Sequence, residues 1–547
     1  RQQQRAQVLN DELGKYIDFH SELFQEREWD EFVREVRGRG DLLDPSGPVL
    51  EHPACNLLRH LGRHGAPVVS KMPPWSESDL DYRLSRGSHK SCDEHLDFLR
   101  GEMLEFVQKG FWTVLPYRLL KDRHQRKLRG LRDLRLSPLG IIPQRDRRPR
   151  LIVDYSFYEV NNETVPLGPQ DAMQFGRVLE RILKLIRKAN ERYGPVYLGK
   201  VDLADGFYRV WLAPGTVPKL AVAFPNYAGE EPMVAFPLAL PMGWVDSVPF
   251  FCACTETVAD LTNNIPAYVE LGPHRLEHLA NTPPPTDLEP LALPTMTGVP
   301  HKSDPPGMAD AHVRAPLGPR KVLRPFHKPV RSTDVYVDDF IQCVQGNKDE
   351  RLRYLRHLLH SIDLVFRPID KDDNMYRVHV ASVKKMLKGD AYMSTRKTIL
   401  GWIIDTIRGT LELPPHRIDR LKELFDYLRG RDRVGLSKWR KILGELRSMS
   451  LGVPGSRGLF SILQDGLRYT DRDRIRLTDG MHDQLATFEY LTSELGKRPT
   501  AIAELVPDDP VAVGPHDASG LGMGGVWLPA TTHSNLHPML WRARFPD

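Results

Sequence analysis

The sequence predicts an α+β fold organised around two acid-tipped strands. Three observations carry that prediction. Thr333-Asp334-Val335-Tyr336-Val337-Asp338-Asp339-Phe340-Ile341-Gln342-Cys343-Val344 reads as strand, tight turn, strand, with β-branched and aromatic runs flanking an Asp pair. Tyr197 to Leu203 is a second apolar strand, and Asp202 sits near its end. Apolar positions at helical spacing fill residues 171–193 and 247–261, so helices alternate with these strands.

Asp338 and Asp339 are costly at such a turn. Half-buried carboxylates repel, and each must be hydrated, paired or bound to a metal. A surface turn explains the pair alone, but a third acid, Asp202, ends a similar strand 136 positions earlier. Together the three form a candidate cluster for two divalent cations about 3.5–4 Å apart, suited to in-line displacement at phosphorus. Mg²⁺ fits it, because this ion favours carboxylate oxygens and substrate phosphates. Mn²⁺ is the substitute expected at the same ligands.

The 547 residues suffice for three or four domains. Arg1 is not an initiating methionine, so the expectation is a piece of a longer polyprotein. Net charge is only +5, but residues 118–150 hold twelve Lys or Arg against three Asp. That stretch can neutralise phosphates, although a solvated basic helix and loop would look the same. Five cysteines show no Cys-x-x-Cys spacing, and Cys252-Ala253-Cys254 lies in an apolar stretch, which predicts buried thiols. No apolar run reaches the length of a membrane span and no signal peptide is visible. The expectation is an intracellular protein, cytoplasmic or nuclear, without a membrane partner.

In chain order, residues 1–92 form an extension that opens with an amphipathic helix and has no readable role. A helix follows over 93–114, ended by Gly110. Strands at Leu139–Pro143 and Arg150–Tyr155 flank a turn at Arg145-Asp146-Arg147. Further strands are expected at Leu220–Phe224 and Met233–Leu238. Residues 266–330 hold 14 of the chain's 45 prolines with little periodicity, which predicts a surface excursion or a Pro-rich binding arm. Glu350–Val365 is a helix, and Ile399–Leu413 a hairpin turning at Arg408-Gly409. Helices at 416–429 and 437–449 precede a connection over 455–505. Residues 506–547 include strand, Gly-rich turn, strand, with Asp517 on the first strand.

Tyr336-Val337-Asp338-Asp339 resembles the catalytic motif of reverse transcriptases, and Lys200-Val201-Asp202-Leu203-Ala204-Asp205-Gly206-Phe207-Tyr208 resembles their first catalytic motif. Leu240-Pro241-Met242-Gly243 resembles the family's Leu-Pro-x-Gly motif, and Arg147 to Tyr155 its triphosphate-binding strand. Ile399-Leu400-Gly401-Trp402-Ile403-Ile404 resembles the primer-gripping hairpin. Five motifs in family order cover roughly residues 95–415, with the flavour of a retrotransposon polyprotein.

The resemblance implies a right-hand polymerase with a ferredoxin-like palm sheet. It divides the chain into fingers (93–170), palm (171–415, with the 266–330 insertion) and thumb-like helices (416–454). After the connection comes a truncated ribonuclease H-like segment (506–547), in which Asp517 is a possible metal ligand. Implied metal ligands are Asp202, Asp338, Asp339 and the Leu203 carbonyl; implied nucleotide-binding residues are Arg145, Arg150, Phe207, Met242 and Gly243. Leu400, Gly401 and Trp402 form the implied primer grip, and Lys384 and Lys385 lie near the family's palm lysine. The implied reaction adds dNTPs to a DNA or RNA primer on an RNA or DNA template with Mg²⁺. The rivals are a polyprotein domain that keeps the fold and binds nucleic acid without catalysis, and an RNA polymerase of the same palm. Phe207 argues against the latter, because a ring there blocks a ribose 2′-hydroxyl.

Overall fold

A computed structural model describes residues 2–125, 133–144, 147–285, 289–292, 325–369, 378–468, 470–471, 473–506, 512–529 and 539–545. The fold is mixed α+β. Among the described residues, eleven strands precede residue 415: β1 Trp112–Pro116, β2 Ser137–Gln144, β3 Arg147–Val153, β4 Tyr197–Asp202, β5 Val222–Phe224, β6 Met233–Pro237, β7 Arg331–Tyr336, β8 Asp339–Val344, β9 Arg396–Ile399, β10 Trp402–Asp405 and β11 Thr410–Glu412.

The acid-tipped strands share one antiparallel sheet, in the order β4-β8-β7. Its register sets Asp202 opposite Asp339 and Tyr336 opposite Asp339. β8 is therefore central, and β4 lies at one edge. Its outer edge is bridged to the 380–394 segment through Leu198–Ser394 and Leu203–Ala381. Helix Val178–Lys188 lies against this sheet with Val178, Leu179, Ile182, Leu183 and Ile186 buried, the i, i+3, i+4 pattern of an amphipathic helix. It is shorter than the expected 171–193 span, because residues 170–172 and 175–177 are separate 3₁₀ turns. Helix Ser247–Asn264 has thirteen buried residues, Cys252 and Cys254 among them, and all five thiols are buried and unbridged.

The strands expected at Leu220–Phe224 and Met233–Leu238 are present, in a sheet other than that of β4. β5 and β6 join β1, β2 and β3 in a five-stranded sheet of order β1-β6-β5-β2-β3. Long-range pairing decides this, with β6 antiparallel to β1 and β5 parallel to β2. The 399–413 region likewise holds two turns: β9 pairs β10 across Leu400-Gly401, and β10 pairs β11 across residues 406–409.

The Pro-rich segment departs from the expected surface excursion over its first third. Leu276 is buried, His274 and Arg275 bind Asp363, and Glu277 binds Arg356 of helix Lys348–Val365. Polar anchors rather than apolar periodicity hold it down. Residues 286–288 and 293–324, where a binding arm was expected, lie outside the described residues.

Among the described residues 2–92, four α-helices pack into the same core as β1–β6. Helices Pro415–Leu428 and Leu436–Ser450 belong to a second core with Trp402 and helix Asp479–Lys497. The last strands, His516–Ala518, Gly522–Pro529 and Met539–Arg544, form an exposed antiparallel sheet. Among the described residues no helix is long and apolar enough to cross a membrane.

Candidate active site

The β7–β8 turn is the tightest available. Tyr336 pairs with Asp339, so Val337 and Asp338 are its two central residues. Val337 adopts φ +60°, a left-handed conformation unusual for a β-branched residue. The flanking ladders impose it, and it holds Asp338 at the tip. Leu203 N–H donates to the Asp338 carbonyl at 3.0 Å, and Ser382 N–H donates to the Asp202 carbonyl at 2.8 Å. The backbone beneath the acids is thus pinned from three segments.

Carboxyl oxygens of Asp202, Asp338 and Asp339 lie within 4.8 Å of one another. Asp202 is 5% exposed, and Asp339 Oδ1 is buried without a hydrogen-bond partner. Burial, then the facing Asp339, pushes the Asp202 carboxyl up to about 8. Burial and Asp339 also raise Asp338. The triad resists full ionisation in a purely protein environment, and a divalent cation reverses that preference. Three hard oxygen donors at this spacing, one of them orphaned, fit Mg²⁺.

Two lysines border the triad. Lys385 Nζ stands 2.5 Å from Asp202 Oδ1, and Lys200 Nζ lies 3.1 Å from Asp390 and 3.9 Å from Asp339. Burial works against the Lys385 ammonium, yet the Asp202 contact leaves its pKa raised. Lys385 opens on a short helix capped by Ser382, so a loop-borne residue meets an acid 183 positions earlier.

Phe207 lies on the 3₁₀ turn Gly206–Arg209, launched by Asp205 at φ +58°. Its half-buried ring is 4.9 Å from the Phe251 ring, and the Gly206 Cα faces the Asp338 side chain. Arg150 is exposed on β3, with Nη2 4.0 Å from the Met242 sulfur. Gly243 is at φ +105°, and a Cβ there would stand 2.5 Å from the Val153 carbonyl oxygen. Only glycine lets this loop press on β3 and carry Met242 to Arg150. Asn161 secures it, donating to the Gly243 carbonyl at 2.9 Å and accepting from Val245 N–H.

Other sequence candidates separate from this cluster. Arg145 lies outside the described residues. Leu400 (φ +49°) and Gly401 (φ +80°) form the β9–β10 turn and are partly exposed. Trp402 is fully buried against Gly452, so its indole packs the core and is not available to a primer. Asp517 is exposed on the C-terminal sheet and joins no metal-competent cluster among the described residues. The sequence also hid Glu256, which burial and then Asp334 push up to about 7 on the helix behind the hairpin.

No protein-family model matches the chain, and no curated protein matches it. Among solved structures it is similar to foamy viral protease-reverse transcriptase. One such structure is in complex with double-stranded DNA (14% identity, 94% of this chain, 67% of that chain, TM-score 0.41). Another is in complex with an RNA/DNA hybrid (14% identity, 94% of this chain, 52% of that chain, TM-score 0.44). At this identity and score the likeness carries no functional inference.

Proposed function

We propose that this chain is an RNA-directed DNA polymerase of a retroelement. It extends a DNA or RNA primer with dNTPs on an RNA or DNA template. One observation carries the reading: Asp202, Asp338 and Asp339 bring carboxyl oxygens within 4.8 Å of one another at the ends of paired strands. Asp202, Asp338 and the Leu203 carbonyl would hold Mg²⁺, with Asp339 a looser ligand or an electrostatic partner. Two such ions, when bound, lower the pKa of the primer 3′-hydroxyl and neutralise charge on the triphosphate and leaving pyrophosphate. The chain's own groups position the reactants. Arg150 and the Met242-Gly243 loop hold the nucleotide, Phe207 excludes a 2′-hydroxyl, and Leu400-Gly401 supports the primer end. Residues 93–170 serve as fingers, 171–415 as palm and 416–454 as thumb; 506–547 is the start of a ribonuclease H-like unit in which Asp517 is one ligand.

The test is primer extension on an RNA template with dNTPs and rNTPs compared. Asp202→Asn or Asp338→Asn should leave folding and primer–template binding intact and reduce extension below a tenth of wild type, a loss of more than ~1.4 kcal/mol. Either variant extending faster than that overturns the assignment. No extension by wild type, with nucleic-acid binding retained, favours the non-catalytic binding domain.

A further inference from the structure

Lys109 is an unusual residue to bury. It directly follows helix Leu96–Gln108, just before the Gly110 turn into β1, and is 4% exposed. Its ammonium donates to Glu105 at 2.9 Å, one turn back, and to Asp205 at 3.1 Å. Asp205 stands at φ +58°, opens the turn that carries Phe207, and makes no side-chain capping bond within that turn. An Asp in this place ordinarily caps its own turn; here the carboxylate goes to Lys109 instead.

The same junction holds the turn a second time. Tyr208 stacks on Phe111 at 4.9 Å and tilts against Phe106 at 5.1 Å, and its hydroxyl accepts from Trp112 Nε1–H at 3.4 Å. Residues 105–112 therefore grip Asp205 and Tyr208, which flank Gly206-Phe207. Beyond them Arg209 donates to the Ala204 and Val378 carbonyls, each at 3.0 Å, so the far end of the turn has its own anchor.

Stability alone accounts poorly for the lysine. Burying an ion pair costs desolvation that an apolar side chain of similar volume avoids, whereas the charged pair fixes one geometry. What it fixes here is a left-handed residue two positions before Phe207, on a turn whose Gly206 faces the Phe251 ring and the Asp338 side chain. A rotation at Asp205 would shift the Phe207 ring relative to the acid cluster.

We propose that Lys109 is a positioning residue for sugar selection: by holding Asp205 it fixes the Phe207 ring where it shuts out a 2′-hydroxyl. Resting on the reading of Phe207 as the gate, this role makes the helix before β1 the element that sets the gate. With Lys109→Met the turn stays folded through Tyr208 and Arg209, but the ring can give way to a ribose.

The experiment is single-nucleotide primer extension by the full chain, with kcat/KM measured for a dNTP and its matching rNTP on one template. Lys109→Met should lower the dNTP-over-rNTP ratio about fivefold or more, chiefly through faster rNTP use. Primer–template affinity should change by less than about twofold, because uniform binding is untouched. In a Phe207→Val background the ring is already gone, so Lys109→Met should not lower the ratio further; that non-additivity marks a residue acting through another. Asp205→Asn tolerates the left-handed turn and weakens the same contact from the other side, so it should shift the ratio the same way by a smaller factor. A circular-dichroism melt separates unfolding from lost selectivity, and Asp205→Asn carries the test if Lys109→Met does not fold. An unchanged ratio, equal loss of dNTP and rNTP use in the folded variants, or independent effects in the double variant overturns the proposal and leaves the gate standing. A Phe207→Val that keeps the full ratio overturns the gate itself, and this role with it.

Discussion

The Phe207 ring touches Phe251 and stands five residues after Asp202, on a turn whose Gly206 faces the Asp338 side chain. A half-buried ring there serves either the core or the sugar pocket, and one substitution separates the two. Phe207→Val should admit ribonucleotides with a modest loss of dNTP rate. The ratio of kcat/KM for dNTP over rNTP should fall at least tenfold, or ~1.4 kcal/mol of differential transition-state binding. Equal loss of both activities with a lowered melting temperature makes Phe207 a core residue instead. Arg150 has a parallel test. It is exposed, with the Met242 sulfur its hydrogen-bond contact, so Arg150→Ala should impair dNTP use and spare stability. Lysine should rescue poorly, because a point charge cannot reproduce a bidentate fork on a triphosphate; full steady-state rescue by lysine reduces Arg150 to general basic surface. The three acids were legible because each ends or turns an apolar strand, a pattern local to the sequence. Lys385 was only loosely placed, because its contact with Asp202 joins residues 183 positions apart.

At the scale of elements, the Leu240–Val245 loop couples the two sheets. Its Gly243 presses on Val153 of β3, and Ser247 Oγ–H, opening the next helix, donates to the Pro241 carbonyl at 2.7 Å. Gly243→Ala meets both a strained positive φ and a carbonyl oxygen that cannot retreat from the β3 ladder. It should cost roughly 1–3 kcal/mol of stability and raise the dNTP KM by displacing Met242 from Arg150. Thermal melting and dNTP titration check it; a silent Gly243→Ala means the loop moves freely and does not position the nucleotide. Individual strands were readable from β-branched runs, but their partners were not. β6 pairs with β1, more than a hundred residues before it, and no local pattern announces that partner. The burial of Trp402 was unreadable for a related reason: it lies beside a partly exposed turn, and only the packing of Gly452 shows that the indole faces inward.

Across the whole molecule, the first 92 residues are bound into the body by buried polar contacts that an amphipathic pattern cannot announce. Trp29 Nε1–H donates to the Pro214 carbonyl at 2.7 Å, and Arg37 Nη1 donates to the Leu212 carbonyl at 2.8 Å. Gly65 approaches the same Leu212 backbone so closely that a Cβ would fall within 2.4 Å of it. Asp41 is the hub. It is 2% exposed, with Arg209 at 3.4 Å and Arg367 at 3.3 Å, and Arg367 N–H donates to its carbonyl. Arg209 follows the Phe207 turn and also donates to the Ala204 carbonyl, two residues beyond Asp202. One carboxylate therefore ties the extension, the turn that follows Asp202 and the chain after helix Lys348–Val365. Asp41→Ala leaves two guanidiniums buried with reduced compensation, a change worth about 3–5 kcal/mol. Urea unfolding should register that loss. Asp41→Asn, which keeps an acceptor, should recover part of it, and primer extension by either variant should fall with the folded fraction. A loss below about 1 kcal/mol, the scale of a surface pair, would mean that the extension is held by its apolar helices alone and that Asp41 is incidental to the join.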